Sequence, residues 1–189
     1  MASVDVLVEG YARSDGESAR VAGTVSLVIA PGLVAIVDPG MVVDRELILA
    51  PLRALGIAPE AVTDVVLSHH HPDHTVNIAL FPEARIHDTW AVYHGDVWTD
   101  RPADGAVLAE GVTLWSTPGH TPQDITTLVE TDDGVVALTH LWWHETMEGD
   151  PRATDLDALH AGRARVLEVA RHIVPGHGPA FEVTDATPR

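Results

Sequence analysis

The sequence predicts an α/β fold in which two β-sheets pack face to face and helices cover their outer faces. Three observations carry this reading. The chain runs as a β-rich stretch, a helix, a strand and a helix, and then again as a β-rich stretch, a helix and a strand. Its 189 residues suit one hydrophobic core, so a single domain over residues 1–189 is expected. Hydrophobic residues make up 46% and charged residues 21%, the proportions of a globular chain rather than a disordered or fibrous one. Sheets with one apolar face must cover it, and two sheets with helices outside is the simplest way to do so.

Taken in order, Asp5 to Ala12, Thr24 to Ala30 and Leu33 to Asp38 read as short strands separated by Gly and Pro punctuation, an opening antiparallel meander. Asp44 is a candidate N-cap for a helix over 45–55, where Leu47, Ile48, Leu52 and Leu55 keep helical spacing and Gly56 supplies a stop. Pro51 interrupts the hydrogen bonding of that run. Thr63 to Leu67 reads as a short buried strand, followed by a His-rich loop and a helix over 75–80. Val112 to Ser116, Ile125 to Glu130 and Val135 to Thr139 read as strands. Thr154 is a candidate cap for a helix over 155–171, with Asp157 in its first turn and Arg163, Arg165 and Arg171 toward its end. Ile173 and Val174 form a last strand leading into Pro175-Gly176-His177-Gly178-Pro179. No linker, low-complexity tract or repeat interrupts this order.

Charge and composition remove several functions. The 11 cations, all of them Arg, against 28 Asp and Glu give a formal net charge of −17. That balance disfavours nucleic acid as a partner without excluding it, because such binding begins with basic patches. The absence of Lys removes Schiff-base chemistry and a phosphate-loop lysine; the absence of Cys removes disulfides, thiolate nucleophiles and Cys-ligated metals. Met1 to Gly10 has no basic n-region, and no stretch approaches the roughly 20 apolar residues that span a bilayer, so no membrane association and a cytoplasmic location are expected.

The abnormal count is 12 His. Four fall in Ser68-His69-His70-His71-Pro72-Asp73-His74, on a loop at a strand's C-terminal end. His69 and His71 alternate by two, so in extended backbone both imidazoles leave the same side, and Pro72 biases His71 toward that state. A third neutral ligand such as His120 completes a three-imidazole site with one open position, in which zinc lowers the pKa of bound water to about 7. Asp73 and His74 point elsewhere and can serve a second cation. His120, His140 and His177 each stand at a strand exit, where a rigid scaffold delivers loop-borne ligands to one rim.

The pattern His69-x-His71-x-Asp73-His74, then Thr117-Pro118-Gly119-His120-Thr121, then Val174-Pro175-Gly176-His177-Gly178 resembles the metallo-β-lactamase fold superfamily of metallohydrolases. Asp38-Pro39-Gly40 is similar to that family's Asp-x-Gly turn. Gly10-Tyr11-Ala12, Gly23 to Val28 and the closing Val174 to Pro179 are most similar to its metallo-β-lactamase domain-containing protein 1 group. The resemblance implies a four-layer αβ/βα sandwich with a metal centre at one edge. It implies a first metal set of His69, His71 and His120 and a second of Asp73, His74 and His177, holding one or two zinc ions, with iron or manganese as alternatives.

One family residue is missing. Where the family carries an Asp bridging both metals, this chain has Thr139-His140-Leu141. A neutral imidazole has one lone pair and holds one metal, so His140 either ligates terminally or the pair is reduced to a single ion. The implied activity is attack by a metal-bound hydroxide on an ester, lactone, thioester, amide or phosphodiester, with Asp73 ligating the second metal and passing a proton to the leaving group. A mononuclear iron-dependent oxidoreductase of the same fold, or a metal-binding protein without turnover, are the alternatives. The expected substrate is a small molecule, neutral or weakly acidic.

Other residues carry less. His70 is expected to face solvent or bond to backbone, while His87, His94, His160 and His172 receive no role. Trp142, Trp143 and His144 wall the pocket, or else one Trp fills the core and the other is partly exposed. His144-Glu145 begins like a zinc-protease helix motif but no second His follows. Asp38 is expected to hold its loop by hydrogen bonds. A chain this short lacks long insertions, so an open cleft, or a homodimer in which a neighbouring subunit covers it, is expected.

Overall fold

The computed structural model describes residues 1–189. The chain opens with β1 (Ser3–Val8), a ribbon of β2 (Tyr11–Asp15) and β3 (Ser18–Ala22), then β4 (Val25–Ala30) and β5 (Leu33–Val37). Helix α1 (Glu46–Ala54), β6 (Asp64–Val66), the one-turn helix α2 (Pro72–Thr75), β7 (Arg85–His87), β8 (Ala91–His94) and β9 (Val97–Asp100) complete the first half. The second half holds β10 (Val107–Ala109), β11 (Val112–Ser116), β12 (Ile125–Thr131), β13 (Gly134–Thr139), α3 (Leu156–Leu167), β14 (Ala170–Pro175) and β15 (Phe181–Glu182). Seven strands form one sheet in the order β1-β4-β5-β6-β7-β8-β9, and six form the other in the order β10-β11-β12-β13-β14-β15. β5, β6 and β7 run parallel, as do β13 and β14; the remaining ladders are antiparallel.

The period-2 alternation of each strand sorts its side chains into layers. In the first sheet Leu27, Ile36 and Val65 face α1, packing with Ile48, Leu52 and Phe81, while Val28, Val37 and Val66 face the other sheet. In the second sheet Leu128, Ala137 and Ile173 face α3, packing with Trp142, Leu159 and Val166, while Val129, Leu138 and Val174 face inward. Helix, sheet, sheet, helix follow as four layers. Fully buried side chains such as Ile48 and Leu52 each stabilise the fold by about 1.5–3 kcal/mol through burial. No helix is long and apolar enough to cross a membrane.

Several boundaries differ from the sequence reading, each for a local reason. The stretch read as one strand to Ala12 breaks at Glu9-Gly10, and its continuation pairs with β3 as a separate ribbon. The first helix starts at Glu46, whose N–H donates to Asp44 Oδ1. The helix after the His loop begins at Pro72, whose fixed φ suits a first turn, and continues from Val76 to Leu80 as a 3-10 helix. The last helix is capped by Asp155, whose side chain accepts from Ala158 N–H, while the Thr154 hydroxyl donates to Gly119 O. It ends at Leu167, because Ala170 to Pro175, Arg171 included, pair beside β13. β7 to β10 escaped the sequence reading: they are three or four residues long, too short to show alternation.

At the start of β6, the side chain of Asp64 is 1% exposed. It accepts hydrogen bonds from His87 Nε2 at 2.7 Å and from Arg85 Nε and Nη2 at 2.9 Å each. Burial works against its charge, but the bonds from His87 and Arg85 outweigh burial and hold the carboxyl at about 2. A carboxyl depressed by folding contributes stability that is present above its unfolded pKa of about 3.9 and lost as pH falls toward its folded value. Asp64→Asn is therefore expected to cost about 2 kcal/mol at pH 7 in chemical denaturation, with the gap to wild type closing between about pH 4 and pH 2. A gap that stays constant across that window would show that the charge is not what Asp64 contributes.

Candidate metal centre

Every candidate ligand leaves the C-terminal end of a strand or the turn beyond it. β6 feeds the loop carrying His69 and His71, and Pro72 then opens α2, which carries Asp73 and His74. His71 is extended, with ψ at 142°, as the residue before a proline should be. His120 lies in the turn after β11, closed by Thr117 N–H to Asp124 O and by Thr121 N–H and hydroxyl to the Asp124 carboxylate. His140 follows β13 and His177 follows β14, neighbouring parallel strands whose ends lie together. Ile125 N–H donates to Ser68 O at 2.9 Å and ties the two sheets together at this rim.

The seven residues singled out in the sequence meet here. Ligand atoms of His69, His71 and His120 lie within 4.8 Å of one another, as do those of Asp73, His74 and His177, and those of His69, His74 and His140. His69 Nε2 is 2.9 Å from His71 Nδ1, which is 3.0 Å from His120 Nε2. Two nitrogens bound to one tetrahedral zinc stand about 3.3 Å apart, so these separations suit a shared ion. Asp73 Oδ2 is 3.5 Å from His74 Nε2 and 3.6 Å from His177 Nε2.

The far side of each ring sets its tautomer. Asp38 accepts from Ser68 N–H and Ser68 Oγ at 2.7 Å each, so the Ser68 oxygen is free to accept from His69 Nδ1 at 3.0 Å. Asp38 Oδ2 also accepts from His74 Nδ1 at 2.7 Å, Asp150 Oδ2 from His120 Nδ1 at 2.7 Å, and Ala22 O from His177 Nδ1 at 3.2 Å. With Nδ1 carrying the proton in all four, each Nε2 turns its lone pair inward.

This donor set fits a cation better than it fits itself. The Nε2 atoms of His69 and His120 both present lone pairs to His71 Nδ1, which has one proton at most to offer. His74 Nε2 is buried with no partner, although a buried ring nitrogen normally finds one. Burial and the neighbouring His74 push the charged form of His69 far down; burial and then His69 do the same at His140. His177 falls to about 4, mainly by burial, and His71 is depressed by burial and His120, with the Arg152 guanidinium adding to the effect. His74 goes the other way: burial opposes its charge, but Asp38 overrides it. Neutral imidazoles are the form that binds metal, so the four depressed rings are ready for a cation and at His74 the cation would take the place of the Nε2 proton that Asp38 favours.

His140 sits at the centre of the group. Its ring centroid is 4.3 Å from that of His120, 4.5 Å from His69, 4.9 Å from His74 and 5.1 Å from His177. Its Nε2 is 3.2 Å from His177 Nε2, and its Nδ1 is buried without a partner. The ring fits because residue 176 is glycine: a Cβ there would collide with His140 Cδ2. Gly23 gives the same room to His74, whose Nδ1 would be 2.6 Å from a Cβ.

The centre opens into a cleft of about 520 Å³ lined by His71, Asp73, His120, Trp143, Arg152 and His177, among others. Trp143 walls it and donates from Nε1 to Asp150 Oδ2, whereas Trp142 is fully buried against Arg163. His144 is exposed outside the cleft wall. His70 is exposed, one of its two expected placements, and pairs with Asp88 at 3.2 Å rather than with backbone. Sequence reasoning missed Asp150 and Ser68. Asp150 lies 30 residues beyond His120 in an irregular stretch, where nothing marks it; Ser68 was visible beside the cluster, but its link to Asp38 needs the parallel pairing of β5 with β6.

Comparison with known proteins agrees with this geometry. The family model described as Metallo-beta-lactamase superfamily matches residues 19–181. The Metallo-beta-lactamase domain-containing protein 1 of Xenopus laevis is 36% identical over 191 residues, covering 96% of this chain and 82% of that protein. Among solved structures, a quorum-quenching N-acyl homoserine lactone lactonase superposes with a TM-score of 0.68 at 17% identity, covering 93% of this chain and 91% of that one. A protein crystallised in a di-iron-bound form superposes with a TM-score of 0.65 at 21% identity, covering 85% and 89%. The four-layer architecture, the ordered motifs and the matched length together place this chain in the metallo-beta-lactamase superfamily.

Proposed function

We propose that the chain is a metal-dependent hydrolase of small molecules carrying an ester, lactone, thioester, amide or phosphodiester bond. The observation that carries this is the set of inward lone pairs opening on a cleft of substrate size. His69, His71 and His120 would hold one ion; Asp73, His74, His177 and, as a terminal ligand, His140 would hold a second. A bound divalent cation supplies Lewis-acid polarisation of the scissile bond and makes water nucleophilic at neutral pH.

The chain's own groups do the rest. Asp38, Ser68 and Asp150 hold the imidazoles in one tautomer and orientation, so nothing has to reorganise when substrate arrives. Asp73 is partly exposed on the cleft wall and can pass a proton to a leaving group. Trp143 offers a flat apolar surface, and the small residues Ala12, Ser14, Ala19 and Val21 of the β2–β3 ribbon line the same cleft. The lactonase among the structural neighbours supports the lactone and ester end of the range. Zinc suits the nitrogen-rich donor set; the di-iron neighbour favours keeping iron as the second reading, and elemental analysis with an oxygen-consumption assay separates them.

His71→Ala is expected to lose both bound metal and hydrolysis of an ester and lactone panel; full turnover by the metal-free variant would end the proposal. Asp150→Asn keeps the ring but weakens its anchor, and metal affinity should fall about 10–100-fold in competition with a chelator. His140→Ala should retain the ion of the first set and lose the second by elemental analysis. Two ions per chain in that variant would remove His140 from the ligands.

A further inference from the structure

We propose that Arg152 binds an anionic oxygen group of the substrate, a carboxylate or a phosphate, beside the scissile bond. This rests on the hydrolase reading, whose substrate polarity it specifies. Cations are scarce in this chain, and most of the 11 arginines are committed elsewhere. Arg53, Arg85, Arg165 and Arg171 pair with carboxylates. Arg45 bonds to Asn77, Arg163 to carbonyl oxygens, and Arg101 to His87 and two carbonyl oxygens.

Arg152 differs from all of these. Its side chain makes no hydrogen bond or ion pair, it is exposed, and it lines the cleft with His71 and His120. Its backbone N–H donates to Asp150 Oδ1 at 2.8 Å, while the other oxygen of that carboxylate holds His120. One carboxylate thus fixes where Arg152 leaves the chain and how a candidate ligand is oriented. Arg13 also borders the cleft, but strand alternation places its side chain opposite the face of Ala12 and Ser14, and its guanidinium lies over the Tyr11 ring at 5.4 Å. Arg20 and Arg189 are unpaired too but do not line the cleft, so Arg152 is the cation available to a substrate. In a molecule of net charge −17, an unpaired guanidinium lining the cleft draws an anion to that one place, and its planar fork matches carboxylate and phosphate oxygens. The apolar walls of Val21, Ala19 and Trp143 leave room for a compact hydrocarbon portion.

The test uses three nitrophenyl esters with acyl chains of equal length, ending in a methyl group, a carboxylate or a phosphate, on the metal-loaded wild type, Arg152→Met and Arg152→Lys. Arg152→Met should lose about tenfold or more in kcat/KM on an anionic ester than on the neutral one, through KM, with Arg152→Lys recovering part of the loss. The anionic ester that loses more identifies the group bound. Equal losses on all three esters would show that Arg152 acts only by holding the Asp150 loop, and no loss would show that it does nothing for binding; either overturns the proposal. Calorimetric titration with glutarate and with inorganic phosphate gives a second readout. Weaker binding of at least one anion by Arg152→Met, by about tenfold, supports the assignment, and equal affinities for both contradict it. If wild type hydrolyses no ester, the hydrolase reading fails while the calorimetry still decides the anion site.

Discussion

The arrangement of this rim depends on one buried carboxylate, Asp38. Three hydrogen bonds, each 2.7 Å, run to it from the Ser68 backbone, the Ser68 hydroxyl and His74. They bind the end of β5 to the loop after β6 and set two imidazoles at once, His74 directly and His69 through Ser68. To do this Asp38 adopts φ 51°, a left-handed conformation that costs a non-glycine residue about 1–2 kcal/mol. Hydrogen bonds to a charged group contribute about 1.5–3 kcal/mol each, so the three outweigh that strain. The local backbone is unfavourable because the site is built on it.

Asp150 repeats the device from the other sheet. It accepts from His120, from the Trp143 indole and from the Arg152 backbone, so one carboxylate orients a candidate ligand, a wall and a cleft cation. The glycines at 23 and 176 complete the support by leaving space for His74 and His140. His140 standing where the family resemblance implies a bridging carboxylate would have an electrostatic consequence. Asp73 is then the one carboxylate among the proposed ligands, so two divalent ions would be less well neutralised than where an Asp is shared between them. Asp38 and Asp150, one hydrogen bond behind the imidazoles, supply the remaining negative charge.

Much of this was legible in the sequence. The spacing of His69 and His71 with Pro72 behind them set an extended pair on one side, and the positions of His120, His140 and His177 at strand exits put them on one rim. The strands flanking the site were found because Val25 to Ala30 and Val135 to Thr139 are long enough to show their pattern. Of the supports, Asp38 was legible as a residue that holds its loop by hydrogen bonds, whereas Asp150 and the role of Ser68 were not. Asp150 meets His120 only through tertiary folding, and the β7 to β9 edge consists of strands too short to declare themselves. The helix assigned as far as Arg171 ran four residues too far, because its charge pattern is helical while Arg171 belongs to a parallel ladder beside β13. The guanidinium of Arg152 could be singled out only once the structure showed which arginines are paired and which of the rest line the cleft.

Preset ring tautomers turn the lone pairs of His69, His74, His120 and His177 toward a common centre. A long-range nitrogen–proton correlation spectrum of the zinc-loaded chain, with nitrogen-15 in its histidines, measures this directly. Nδ1-protonated rings are expected at those four residues and an Nε2-protonated ring at His71. Nε2 protons on His69 or His120, or a chain that takes up no zinc, would contradict it.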